Sequence, residues 1–100
     1  MAYTGQRARV DANHKDIVTK LRQYPNITVR SVATIKGFCD IIVGYNNTNY
    51  LYEIKDPNKP PSARKLTPDE IKFHDEWKGH VKIALTTEDI LKDINYKRSK

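Results

Sequence analysis

Asp40, Glu53 and Lys55 are side chains of the types that could hydrolyse a phosphodiester, and they fall in one short stretch, D-I-I-V-G-Y-N-N-T-N-Y-L-Y-E-I-K. A hard divalent cation such as Mg²⁺ takes oxygen ligands, is commonly held by one or two carboxylates, and keeps positions open for phosphate and water. An ammonium beside it can orient the attacking water, help deprotonate it, or stabilise charge on the phosphate. The bland alternative is a surface hairpin with an incidental cross-strand salt bridge. With 30% of its residues charged, the chain throws up such strings freely. It even carries a second Glu-x-Lys at Glu70 and Lys72, but in a helical pattern, where residues two apart do not face each other.

The elements around the first string make the difference. Asp40 to Val43 is an apolar, β-branched run, and Tyr50 to Lys55 alternates apolar and polar residues, so both read as strands. Asn46-Asn47 lies between them, and asparagine tolerates the positive φ of a type I′ hairpin turn. With those two residues as the turn, Tyr45 pairs with Thr48 and Asp40 stands directly opposite Glu53. Side chains alternate along a strand, so Lys55 shares the face of Glu53 while Ile54 points to the other.

At these residues the chain resembles the PD-(D/E)XK nuclease superfamily, and more closely its small stand-alone VRR-NUC (virus-type replication-repair nuclease) proteins of phages and bacteria. The similar stretches run from about Asp11 to Ile94: D-A-N-H-K-D-I-V, G-F-C-D, Y-L-Y-E-I-K-D, K-P-P-S-A-R-K-L-T-P-D-E and F-H-D-E-W-K-G-H-V. The resemblance implies a restriction-endonuclease-like fold. It also implies that Asp40, Glu53 and the carbonyl of Ile54 hold Mg²⁺ or Mn²⁺, with Lys55 as the catalytic lysine. The implied activity is cutting of DNA, branched or structured DNA included, as in a Holliday-junction resolvase. Three positions depart from the family pattern. Cys39 stands where proline usually precedes the catalytic Asp, Asp16 where a helical Glu often completes the site, and Glu70 where Gln is common.

One hundred residues make one domain, with 1–9 and 96–100 read as loose tails. There are 18 Lys and Arg against 12 Asp and Glu, a net charge of +6, which fits a polyanionic partner, although many small proteins of this charge bind nothing in particular. The single Cys39 excludes an intramolecular disulfide and a multi-cysteine zinc site, and reads as a small buried hydrophobe. The first residues lack the apolar core of a signal peptide, and no run approaches the roughly 20 residues of a membrane span. The expectation is a protein of the cytoplasm, of a bacterium or a phage-infected host, with no membrane.

Along the chain, His14, Ile17, Val18 and Leu21 form the apolar stripe of a helix from Asp11 to Gln23, with Asp11 as its cap. Asp16, beside Asn13 and Lys20, is either a fourth metal ligand or a solvated helix acid; His14 reads as a boundary residue. Ile27 to Thr34 alternates as a first strand, and Lys36-Gly37 is either a plain turn or a close approach to phosphate. The proline-stiffened loop from Asp56 to Lys65 leaves the lysine directly and carries Lys59, Arg64 and Lys65, which we assign to the DNA backbone against a merely solvated loop. Thr67-Pro68-Asp69-Glu70 spells a helix start with a capping box, so Glu70 has a structural role whatever else it does. Phe73 and Trp77 read as core anchors on that helix and His74 as reaching the catalytic edge, with Gly79 ending it. A short strand from His80 to Leu85 and a last helix capped at Thr86 or Thr87 complete the chain.

The order is α-β-β-β-α-β-α, a mixed central sheet flanked by helices. A domain this small covers little duplex, so cutting both strands symmetrically calls for a homodimer. The competing class is a non-catalytic module that keeps the fold and binds nucleic acid or protein.

Overall fold

Four strands and three helices follow in the order read from the sequence: α1 (His14–Leu21), β1 (Ile27–Ser31), β2 (Ile41–Tyr45), β3 (Thr48–Ile54), α2 (Pro68–Glu76), β4 (Val81–Ala84) and α3 (Thr87–Asp93). A short 3₁₀ turn, Pro61–Arg64, interrupts the loop before α2. The computed structural model describes residues 11–98; the expectation of a loose tail at 1–9 lies outside them.

The sheet order is β1-β2-β3-β4, antiparallel through the first three strands and parallel between β3 and β4. The return to a parallel strand requires a long crossover, and the loop with α2 supplies it. Asn46 and Asn47 have φ of 55° and 62°, as a two-residue type I′ turn requires. They set the expected register, Tyr45 opposite Thr48 and Ile41 opposite Tyr52. That register fixes which face every later side chain takes.

One face carries the core. Ile17, Val18 and Leu21 of α1, with Ile90 and Ile94 of α3 and its C-cap, pack on Ile27, Val29, Ile41, Val43, Tyr52, Ile54 and Ala84. These are the inward positions of strands alternating with period two, met by a helical stripe. Cys39 is 1% exposed, and burial pushes its thiol up to about 12, so it behaves as the small hydrophobe expected.

Several local expectations are corrected. The first helix begins at His14, and its N-cap is Asn13 rather than Asp11; no side chain makes the cap hydrogen bond. His14 is buried against Ser31, with Nε2 3.0 Å from the hydroxyl, and so is no boundary residue. The first strand ends at Ser31, and α2 ends at Glu76, before Gly79. Phe73 and Trp77 are not core anchors: no residue of α2 is buried, and Trp77 is 40% exposed. Their rings stack with each other and with Phe38 at the rim of the second face. Nor is the chain loose at 96–98. The Tyr96 hydroxyl donates to the carbonyl of Pro25 at 3.0 Å, its ring meets Tyr24 and Tyr45, and the Lys97 N–H donates to the Tyr45 hydroxyl at 2.9 Å.

Both expected caps form. Thr67 with Glu70, and Thr86 with Asp89, make reciprocal capping boxes at the starts of α2 and α3. No helix among the described residues is long and apolar enough to cross a membrane.

Candidate active site

The second face of the sheet, opposite the core, holds Glu53 and Lys55. Both are buried, at 4% and 8% exposure, which is unusual for charged side chains and demands partners. They line a cleft of about 480 Å³ with Asp11, Asp40, Ile54, Lys59, Ala63, Thr67 and Glu70. An adjoining pocket of about 150 Å³ shares Asp40, Glu53, Thr67 and Glu70 and extends to Lys36, Gly37 and Phe38.

Asp40 sits one residue beyond the regular ladder, which ends at Ile41 opposite Tyr52. Its N–H donates to the Tyr52 carbonyl at 2.9 Å, and its Oδ2 accepts the Ile54 N–H at 2.7 Å. The carboxylate therefore stands in for a missing backbone acceptor and is locked beside Glu53. Burial, first, pushes the Glu53 carboxyl up to about 10; the hydrogen bond to Glu70 and the charge of Asp40 add to it. Without a cation, burial beside Glu70 and Asp40 favours the protonated form of Glu53. Its Oε1 is buried with no hydrogen-bond partner.

Lys55 donates to Glu70 Oε1 at 2.9 Å. Burial alone would lower the pKa of the ammonium, but Glu70, Glu53 and Asp11 outweigh it and hold the lysine above its ordinary value. Glu70 is itself fixed by its capping role, since the same Oε1 accepts the Thr67 N–H at 2.8 Å. Burial would raise its pKa; Glu53, the Thr67 N–H and Lys55 outweigh that and lower it. His74, one turn along α2, is half-buried and lowered chiefly by burial, with Glu70 and Asp75 opposing; its Nε2 has no partner.

Two residues of the site went unrecognised in the sequence. Asp11, read as a cap, instead lines the cleft and accepts Lys59 Nζ at 2.8 Å. Asn13 clamps the ends of two strands, its Nδ2 donating to the carbonyls of Lys55 at 3.1 Å and Leu85 at 2.9 Å. Asp16, open between a fourth ligand and a solvated helix acid, does not line the cleft; it is solvated and pairs with Lys20 at 3.3 Å. Of the basic loop, Lys59 reaches the cleft, Lys65 is exposed, and Arg64 faces away from it into a neighbouring groove.

Among the described residues, no three His, Cys, Asp or Glu side chains form a metal-holding group. The oxygens of Asp40 and Glu53, one of them buried and unpartnered, do suit a hard cation that needs only one or two carboxylates and keeps its waters. Compared with protein-family models, with characterised proteins and with solved structures, the chain matches none.

Proposed function

We propose that this protein is a metal-dependent DNA endonuclease built on a restriction-endonuclease-like core. The observation that carries the reading is the convergence of Asp40, Glu53 and Lys55 in one cleft, with a buried carboxylate oxygen left unpartnered. Asp40, Glu53 and the Ile54 carbonyl would hold Mg²⁺ or Mn²⁺. A cation there supplies Lewis-acid polarisation of the phosphate and a more acidic bound water.

The chain's own groups do the rest. Glu70 keeps Lys55 charged and aimed, so the lysine acts by orienting water and stabilising phosphate charge rather than as a base. Asn13 holds the backbone of Lys55 against the end of β4, and Asp40 holds that of Ile54. Lys36 and Lys65 would meet the DNA backbone, and Lys59 would exchange its bond to Asp11 for one. Two copies would allow both strands of branched DNA to be cut.

A second reading, a non-catalytic nucleic-acid- or protein-binding module, is favoured by one fact: Lys55 is engaged by a carboxylate where the family commonly has an amide. Incubation with labelled plasmid, forked and four-way DNA in Mg²⁺, Mn²⁺ or EDTA decides between them. The nuclease cuts in metal only, and Lys55→Ala loses cutting while keeping binding, because the lysine acts mainly in the transition state. No cutting in either metal would give the second reading the lead.

A further inference from the structure

Along the free edge of β4 runs a groove of about 710 Å³ that the site above does not use. Arg64, Lys82, Ile83, Asp89, Lys92 and Asp93 line it. We infer that this groove holds the phosphodiester strand of the nucleic acid as it leaves the acid cleft, with Arg64 and Lys92 as its phosphate contacts. The inference rests on the nuclease reading.

Charge is the first argument. Both carboxylates of the groove are already engaged. Asp89 Oδ2 accepts the N–H groups of Leu85 at 2.9 Å and Thr86 at 3.2 Å. Asp93 accepts the Tyr52 hydroxyl at 2.6 Å and Lys82 at 2.7 Å, and its Oδ2 lies 2.7 Å from His80 Nε2. The cations are not matched in the same way. The side chains of Arg64 and Lys92 have no hydrogen-bond or ion-pair partner among the described residues, and Arg64 Nε is buried and unpartnered. Lys92 is exposed. A guanidinium that no carboxylate engages is suited to the paired oxygens of a phosphodiester.

Continuity is the second argument. The 3₁₀ turn Pro61–Arg64 forms the wall between the two spaces, since Ala63 lines the acid cleft and its neighbour Arg64 the groove. Glu53 is in register with Ile83, one strand over, or about 4.8 Å in a sheet. Ile83 is 46% exposed on this edge, an apolar surface a sugar or base can cover. A strand held at Asp40 and Glu53 thus crosses onto Ile83 and between Arg64 and Lys92 without leaving the protein.

The test is binding of fluorescein-labelled single-stranded and duplex oligonucleotides of increasing length to the full chain in EDTA, over a range of salt. Affinity should rise as the oligonucleotide outgrows the acid cleft. Lys92→Gln should remove most of that gain and flatten the salt dependence by about one phosphate contact. Arg64→Gln should do the same, and the exposed Lys92 keeps the test sound if Arg64→Gln misfolds. Arg30→Gln, on β1 at the opposite edge of the sheet, is the charge-matched control and should leave binding as it is. A Lys92→Gln salt slope equal to that of Arg30→Gln, in a wild type that binds and cuts, overturns this inference alone. A wild type that neither binds nor cuts DNA overturns the nuclease reading with it. If an extended polyglutamate peptide binds through Lys92 while DNA does not, the free edge is a peptide site and the inference fails.

Discussion

Glu53→Gln removes one ionisable oxygen pair with almost no change of shape, and its effect should depend on pH in a definite way. In the metal-free fold burial pushes the Glu53 carboxyl up to about 10, and Glu70 and the charge of Asp40 add to it. In the unfolded chain it ionises at its ordinary value of 4.5. The native state therefore binds more protons than the unfolded state between those values. The contribution is fully present below pH 4.5 and is lost as pH rises toward 10. One extra bound proton corresponds to a slope of about 1.4 kcal/mol per pH unit. Between pH 6 and pH 8, wild type should thus lose about 2.7 kcal/mol relative to Glu53→Gln. Urea unfolding of both proteins in EDTA measures it, and the comparison cancels the groups the two proteins share. The same proton must leave when a cation binds, so apparent Mg²⁺ affinity should rise about tenfold per pH unit across this range. Mg²⁺ at tenfold its dissociation constant should stabilise wild type by about 1.4 kcal/mol and the variant by much less. Parallel pH slopes in the two proteins would refute the raised Glu53 carboxyl, and equal stabilisation by Mg²⁺ would remove Glu53 from the proposed metal site.

Glu70→Gln keeps the capping box but withdraws the charge on Lys55, so α2 should hold its stability within about 1 kcal/mol while the lysine titrates at lower pH, read by NMR of its Cε protons. Asn13→Ala unties the carbonyls of Lys55 and Leu85 and should cost about 1–3 kcal/mol in denaturant unfolding, with a fall in kcat larger than any change in KM. Asp93→Asn should cost about 1–3 kcal/mol at pH 7, because Tyr52, His80 and Lys82 all converge on that carboxylate. The difference should shrink as pH falls through the ordinary aspartate value of 3.8 toward about 2, where Lys82, Tyr52 and His80, against the opposing effect of burial, have placed the Asp93 titration.

What was legible in the sequence is what local physics decides. Two asparagines able to take positive φ fixed the turn, the turn fixed the register, and the register put Glu53 and Lys55 on one face away from Ile54. Both capping boxes were equally local. Asp11 was misjudged and Asn13 passed over because their partners lie far along the chain, 48 residues on for Lys59 and 72 for Leu85. An acid before a helix looks like a cap when nothing says what stands in front of it. Asp16 has the right type but the wrong position, on solvent with Lys20. Phe73 and Trp77 follow a helical stripe, and periodicity alone cannot say whether a neighbour exists to cover it.

Asp40 and Glu53 would share one cation, yet they are not alike to the fold. Asp40 terminates the hairpin with its own side chain, taking the Ile54 N–H that no strand accepts. Glu53 has an oxygen with nothing to hold. In a library of variants sorted once for expression and once for cutting, position 40 should be depleted in both sorts and position 53 chiefly in the second, with Gln among the residues that survive the first. Inactivity after replacing Asp40 would then say little about metal, whereas inactivity in a fully folded Glu53→Gln would say a great deal. Under the proposed function, Asp40 would build the site and Glu53 would use it.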